Sequence, residues 1–308
     1  MSRPPLGFGV QIACEGMSWP ECLEIACAAE ELGYHSVWLP DHYTATPDGL
    51  VPSARTPLVD GWLALAAIAQ ATRRIRLGPL VASITFRNPG ILAKQAASLD
   101  HISGGRCELG MGAGWFEREH TSLGIPFPPL PQRVAALEEA VRIVKALWTE
   151  PEVSFQGRYY RLDAAVSEPR PLQRPHPPIT IGASGERVAL RNVARHADHW
   201  NTYCPAALFA AKREVLLDHC AAVGRDPDEI ARSVMLPLYL EEDEPVKAKL
   251  LRWGGGPKAR EWFLVGGQAE IEERIGRFVD AGAQLVIVQV DRRGRCAETL
   301  REFRQRFF

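Results

Sequence analysis

Short apolar runs recur along the chain at steps of roughly thirty residues, each followed by an amphipathic helical segment, and this alternation restricts the fold to repeated βαβ units. Gly7 to Ala13 reads as the first strand. Ser18-Trp19-Pro20-Glu21 then opens a helix, with Ser18 as its cap and Glu21 reaching back to the cap N–H. Cys22, Ile25, Ala26 and Ala29 follow at helical spacing, Gly33 stops the helix, and Ser36-Val37-Trp38-Leu39 reads as a strand buried on both faces. The pattern continues as a helix at 58–72, a strand at 75–82, a helix at 89–102 and a strand at 106–111. After a Gly/Pro-rich loop, residues 133–148 carry Val134, Leu137, Val141, Val144 and Trp148 on one helical stripe. Residues 153–162 read as a hairpin around Gln156-Gly157, and 168–178 as a proline-rich connector. Alternation resumes with a strand at 179–181, helix 186–196, strand 198–201, helix 205–223 and strand 234–240. Residues 241–267, with four consecutive acids and three consecutive glycines, read as an insertion or mobile loop, before helix 269–281, strand 283–290 and helix 297–307.

Eight strands alternating with eight helices leave a closed barrel or an open doubly wound sheet, and the count favours an α/β (β/α)8 TIM barrel. A chain of 308 residues would suggest two domains at about 150 residues each, yet a barrel uses about 250 as one. The expectation is a single barrel domain spanning 1–308, with insertions after strands 4 and 7 at approximately 149–178 and 241–267. In such a fold the chemistry sits in the loops that follow the strands.

Composition narrows the function classes. Lys+Arg total 36 against 37 Asp+Glu, a net charge of −1, so no positive field exists to draw nucleic acid or an anionic membrane. Residues 1–13 lack a signal-peptide pattern, and no apolar run reaches the length of about 18 needed for a membrane span. Seven scattered cysteines without a C-x-x-C fit free thiols in a reducing compartment, and a cytoplasmic protein is expected. His196 and His199 have no third ligand at a recognisable spacing, so no metal site is expected. Trp148 and Trp262 read as packing residues and the acidic run at 241–244 as a solvated loop.

The segments that follow the strands are Cys14-Glu15-Gly16, Pro40-Asp41-His42-Tyr43, Ser83-Ile84-Thr85-Phe86-Arg87-Asn88, Gly112-Ala113-Gly114-Trp115-Phe116-Glu117, Gly182-Ala183-Ser184-Gly185-Glu186-Arg187 and Asn201-Thr202-Tyr203. With the stretches 37–42, 94–106, 109–115 and 177–187 in order, the chain resembles the luciferase-like flavin monooxygenase superfamily, and within it the coenzyme F420-dependent oxidoreductases, over Gly7 to about Val290.

That resemblance implies an oxidoreductase moving a hydride between F420 and a small organic substrate. FMN with O2, as in a monooxygenase, is the alternative, and a flavin-binding protein without turnover a further one. His42 is the first candidate for the proton donor or acceptor, because imidazole titrates near neutrality; Glu15 and Glu117 are the other candidate acids. The resemblance places Asp41, His42, Ser83, Ile84, Gly112, Gly114 and Trp115 beside the cofactor ring. Gly182, Ala183, Ser184, Gly185 and Arg187 would meet its phosphate, since small residues at a helix start let backbone N–H groups approach an anion. Relatives bend the third strand at a non-proline cis peptide, expected here at Ser83-Ile84. Substrate choice is expected to lie in loops that include 50–57, 121–131 and 241–267, and the assembly is expected to be a homodimer through helices next to the early strands.

Overall fold

The computed structural model describes residues 6–46, 55–291 and 294–307. In chain order its elements are β1 (Gly7–Ile12), α1 (Trp19–Glu31), β2 (Ser36–Leu39), α2 (Gly61–Ala71), β3 (Arg76–Pro79), β4 (Ala82–Ser83), α3 (Pro89–Ser103), β5 (Leu109–Gly112), α4 (Glu117–Ser122) and α5 (Leu130–Thr149). A hairpin, β6 (Val153–Gln156) and β7 (Arg161–Ala165), precedes β8 (Ile179–Gly182), α6 (Ala189–His196), β9 (His199–Thr202), α7 (Ala206–Val223) and β10 (Ala231–Tyr239). The chain ends with α8 (Glu244–Arg252), α9 (Gly256–Arg260), β11 (Leu264–Val265), α10 (Gln268–Asp280), β12 (Leu285–Val290) and α11 (Cys296–Phe307).

The strands pair in the order β3-β2-β1-β12-β10-β9-β8-β5-β4, all in parallel. A parallel bridge between Leu77 of β3 and Cys107, just before β5, brings the split third strand back against the fourth and closes a TIM barrel with helices outside. Alternation along the strands sorts the core. Phe8, Val10 and Ile12 point out toward the helices, where Phe8 meets Phe303 of α11 edge-on at 5.4 Å. Trp38, Leu80, Leu285 and Ile287 point inward and fill the barrel. The capping box opening α1 forms as its residue pattern requires, with Ser18 N donating to Glu21 Oε2 at 2.8 Å.

The third barrel strand is interrupted. β3 pairs with β2 as far as Pro79, and β4 pairs with β5 from Ala82, so the chain changes partner across Leu80 and Val81. The cis peptide lies there, between Leu80 and Val81, and not at Ser83-Ile84. By Ser83 the segment has rejoined a regular ladder, with Ile84 N donating to Gly112 O at 3.1 Å.

Two segments differ from their sequence reading. The stretch between β5 and α5, read as loop, contains α4. The 241–267 segment folds as α8, α9 and β11, because Asp243 caps α8 and an apolar cluster of Tyr239, Val246, Leu250, Phe263 and Val265 docks it on β10. Two of its acids are ion-paired, Glu241 with Arg295 at 2.7 Å and Glu242 with Arg260 at 2.6 Å, so the run is tied to the protein rather than merely solvated. Trp148 is buried, donating to Ala93 O at 2.9 Å, and Trp262 packs on Trp253 and Tyr203. Among the described residues no helix is long and apolar enough to cross a membrane.

Polar side chains also lie inside the barrel, with Ser233 of β10 in register with the apolar Leu285 of β12. His199 Nε2 is 2.7 Å from Ser233 Oγ and its Nδ1 is 3.1 Å from Thr180 Oγ1, while Glu108, paired with Arg76, is 3.9 Å from Nδ1. Burial pushes the His199 ring down from 6.5 to about 4, against the opposing pull of Glu108. The folded protein therefore keeps this ring neutral while the unfolded chain would protonate it, so stability is lost as pH falls from 6.5 through about 4. The expected loss is about 3 kcal/mol by pH 4. Urea melts at pH 7 and pH 4 should show it, and His199→Gln should flatten the difference; an unchanged pH slope in that variant would exclude His199 as its source.

Candidate active site

The C-terminal ends of the barrel strands form a polar mouth organised by four side chains, of which Glu119 and Arg87 are the anchors. After β2 the chain runs through Asp41 and His42. Asp41 is buried and fully engaged: Arg87 grips it with two bonds, 2.7 and 2.8 Å long, and Ser83 N donates to Oδ2 at 3.0 Å. Arg87 also donates to Tyr43 Oη at 2.9 Å. Although burial works against its charge, the hydrogen bonds and charge of Asp41 raise the Arg87 pKa further. Asp41 thus fixes the loops after β2 and β4 to each other and offers no spare oxygen to a ligand.

His42 is held differently. Its Nδ1 lies 2.8 Å from Glu119 Oε2 of α4, a carboxylate that also accepts Tyr43 N at 2.5 Å and Thr44 N at 2.9 Å. Burial tends to raise the Glu119 carboxyl, but the His42 bond and the two backbone donors outweigh it and leave it below its ordinary 4.5. An ionised carboxylate is acceptor-only, so Nδ1 carries a proton and Nε2 is the atom left for the mouth. The His42 side chain is 17% exposed, with the half-exposed Trp115 edge-on at 5.7 Å. Residue spacing pointed to Glu117, which sits exposed at the start of α4; the buried carboxylate two residues later meets the histidine. A two-turn helix in the Glu117-Arg118-Glu119-His120 stretch would have shown that these two acids face different ways.

The other candidates divide by the face they occupy. Ser83 points inward beside Gly114, whereas Ile84 points out into the main core, away from the mouth. Gly112 and Gly182 underlie Val81: a Cβ would come 2.5 Å and 3.2 Å from its methyl groups, so packing already accounts for Gly112 and leaves little room at Gly182. Arg133 of α5 holds the Gly112–Trp115 turn from behind, donating to Ala113 O at 3.1 Å and Gly114 O at 3.4 Å. Glu15 accepts both Thr46 N and Thr46 Oγ1 at 2.8 Å, tethering the chain after β2 to that after β1.

After β8, Ala183 is buried and its carbonyl accepts Trp200 Nε1 at 2.9 Å, while Ser184, Gly185 and Arg187 are exposed. The buried Lys212 of α7 supports this turn, donating to Ser184 O at 2.6 Å and meeting Glu186 at 3.2 Å. No periodicity singled out Lys212, since it lies on the inward stripe of α7 among apolar residues. The start of α6 has no side-chain cap, while the N–H of Leu190 is taken by Gly185 O at 3.0 Å. Residues 50–54 of the expected 50–57 specificity loop lie outside the described residues. Among the described residues no group of His, Cys, Asp and Glu is placed to hold a metal ion.

A closed parallel barrel whose strand ends carry a carboxylate-oriented histidine and a small-residue turn at a helix start defines a class of barrel proteins that work at the C-terminal face. The chain belongs to the luciferase-like monooxygenase family, whose pattern matches residues 5–259. It is 35% identical over 251 residues to the F420-dependent glucose-6-phosphate dehydrogenase of Kineococcus radiotolerans, a match covering 78% of this chain and 69% of that one. It is 33% identical over 238 residues to an uncharacterized protein of Mycobacterium tuberculosis, covering 73% and 80%. Its fold is similar to that of an F420-dependent secondary alcohol dehydrogenase solved with an F420-acetone adduct, with a TM-score of 0.86, 20% identity and coverage of 99% and 98%. A monooxygenase from Streptomyces bottropensis superposes with a TM-score of 0.80 at 25% identity, over 98% of both chains.

Proposed function

We propose that this protein is an F420-dependent oxidoreductase that moves a hydride between the deazaflavin and a small organic substrate. The observation that carries the reading is His42, whose Nδ1 is fixed by the buried Glu119 and whose Nε2 is left to exchange a proton at the mouth. F420, when bound, supplies a ring that accepts or gives a hydride, and the protein holds that ring and handles protons. The sequence similarity to F420-dependent enzymes supports the choice of cofactor.

The residues present fit such a group. Gly114 has no Cβ where one would strike the Ser83 and Thr85 hydroxyls, so a flat ring can approach Ser83 with Trp115 as a side wall. Gly182 to Gly185, the uncapped start of α6, the exposed Arg187 and the underlying charge of Lys212 suit a phosphate. Glu117 stays a second candidate acid at the rim, and Glu15 a positioning residue that holds Thr46 in the chain after β2. The seven free cysteines support a cytoplasmic setting. Leu63 of α2 with Ile91 and Ile102 of α3 are exposed apolar residues on helices next to the early strands, which supports a homodimer through that side.

The deciding experiment is a titration of the purified protein with F420 and with FMN, followed by absorbance and fluorescence. F420 is expected to bind at least about tenfold tighter, a difference of roughly 1.4 kcal/mol. Tight FMN binding without an F420 response would replace this reading with the FMN- and O2-dependent one, which the likeness to the S. bottropensis monooxygenase favours.

A further inference from the structure

A second histidine lies behind the mouth and has no part in the reading above. His120 follows Glu119 on α4, is 1% exposed, and has Phe86 stacked on it at 4.5 Å and Phe127 tilted against it at 4.7 Å. Its Nδ1 is 2.8 Å from the Phe116 carbonyl oxygen, which can only accept, so Nδ1 carries an N–H in the neutral and the charged ring alike. Its Nε2 is 2.6 Å from Thr85 Oγ1, which is in turn 2.6 Å from Ser83 Oγ. Gly114 crosses directly over this line: a Cβ there would sit 2.7 Å from Ser83 Oγ and 2.9 Å from Thr85 Oγ1.

The hydrogen-bond directions along the line are coupled. With His120 neutral, Nε2 accepts from Thr85, Thr85 accepts from Ser83, and Ser83 presents lone pairs to the mouth. With His120 protonated, Nε2 donates to Thr85, the Thr85 hydroxyl turns to Ser83, and the Ser83 O–H is released outward. We propose that Ser83, Thr85 and His120 form a hydroxyl relay in which the protonation state of His120 decides whether Ser83 meets the bound ring as acceptor or donor. The inference rests on the reading of Ser83 as the residue beneath the cofactor. Ser83 is the member that would touch the ring; Thr85 and His120 are positioning residues that would act through it.

The relay conserves atoms and charge. Starting from protonated His120, Ser83 would pass its proton to an acceptor at the mouth and regain one from Thr85, and Thr85 would regain one from Nε2, leaving His120 neutral and still bonded to Phe116 O. One positive charge moves outward and only O–H and N–H bonds change. The charged groups on the surrounding elements are already engaged: Asp41 with Arg87, Glu119 with His42, and Arg133 with the Ala113 and Gly114 carbonyls and the Phe127 ring face at 3.7 Å. Glu117 and Arg118 of α4 are exposed.

Two measurements test the relay. Histidine-ring NMR on the ligand-free protein should show neutral His120 as the Nδ1–H form; the Nε2–H form would overturn the proposal whatever the cofactor. Binding heats of F420, and of FMN in parallel, measured in buffers of different ionisation heat at about pH 6.5, count the protons exchanged on binding. Thr85→Val is expected to bind within about threefold of the wild type but exchange less than half as many protons, with Thr85→Ser restoring the count. Wild-type exchange in Thr85→Val would refute the relay. Binding of FMN alone would refute the cofactor assignment while the proton count is read with FMN, and if neither binds, the tautomer decides.

Discussion

Replacing His42 with alanine is expected to lower kcat by a factor of about 10² to 10⁴ with whichever substrate the wild-type protein oxidises or reduces through F420, the usual contribution of a positioned acid or base. Cofactor affinity should change little, because Nε2 is left to the mouth while the proposed seat of the ring is Ser83 and Gly114, with Trp115 as a side wall. Glu119→Gln provides the contrast. Glu119 accepts from Tyr43 N, Thr44 N and His42 at once, and its carboxyl is held below 4.5, so it stabilises the fold above that pH and ceases to do so as pH falls through the depressed value. The variant should lose roughly 1 to 2 kcal/mol of stability as well as activity. If His42→Ala turns over at the wild-type rate with cofactor bound, His42 is not the proton-handling group.

Gly78→Ala and Gly110→Ala are expected to cost more than about 4 kcal/mol each, enough to remove most soluble protein from a fold of ordinary stability. The reason is the seam where the barrel closes. A Cβ on Gly78 would lie 1.7 Å from Glu108 O, and one on Gly110 would lie 2.1 Å from Pro79 O. Both obstacles are backbone and cannot rotate aside. Gly276→Ala on α10 is the matched control, since its Cβ meets nothing within 4 Å. It should be neutral or stabilising by up to about 1 kcal/mol through helix propensity. Soluble yield and thermal melts of the three variants check this; a well-folded Gly78→Ala would show that the seam is not closely packed.

Much of the mouth was legible because a barrel places strand ends together regardless of their separation in sequence. The Asp-His pair after β2, Ser83 at the end of β4 and Gly114 after β5 could be nominated from order alone. Their roles could not. Asp41 looked available for a ligand until Arg87, 46 residues later, was seen to occupy both its oxygens. Glu117 was the acid nearest the glycine turn in sequence, yet the carboxylate that reaches His42 is Glu119, because α4 turns two neighbouring acids to different sides. Lys212 and Arg133 carried no local signal, since a lone cation on an amphipathic helix acquires meaning only from the carbonyls it meets.

The amino-acid sequence by itself determined the eightfold alternation, the parallel barrel that follows from right-handed crossovers, and the face on which chemistry collects. Those depend on periodicity and chain connectivity, which are local or cumulative along the chain. Tertiary structure decided where the third strand changes partner, how 241–267 folds back on β10, which carboxylate orients His42, and that His120 lies at the end of a hydroxyl line from Ser83. Each of these depends on contacts between residues brought together by barrel closure, and a hydrogen bond's partner is set by distance and direction in space.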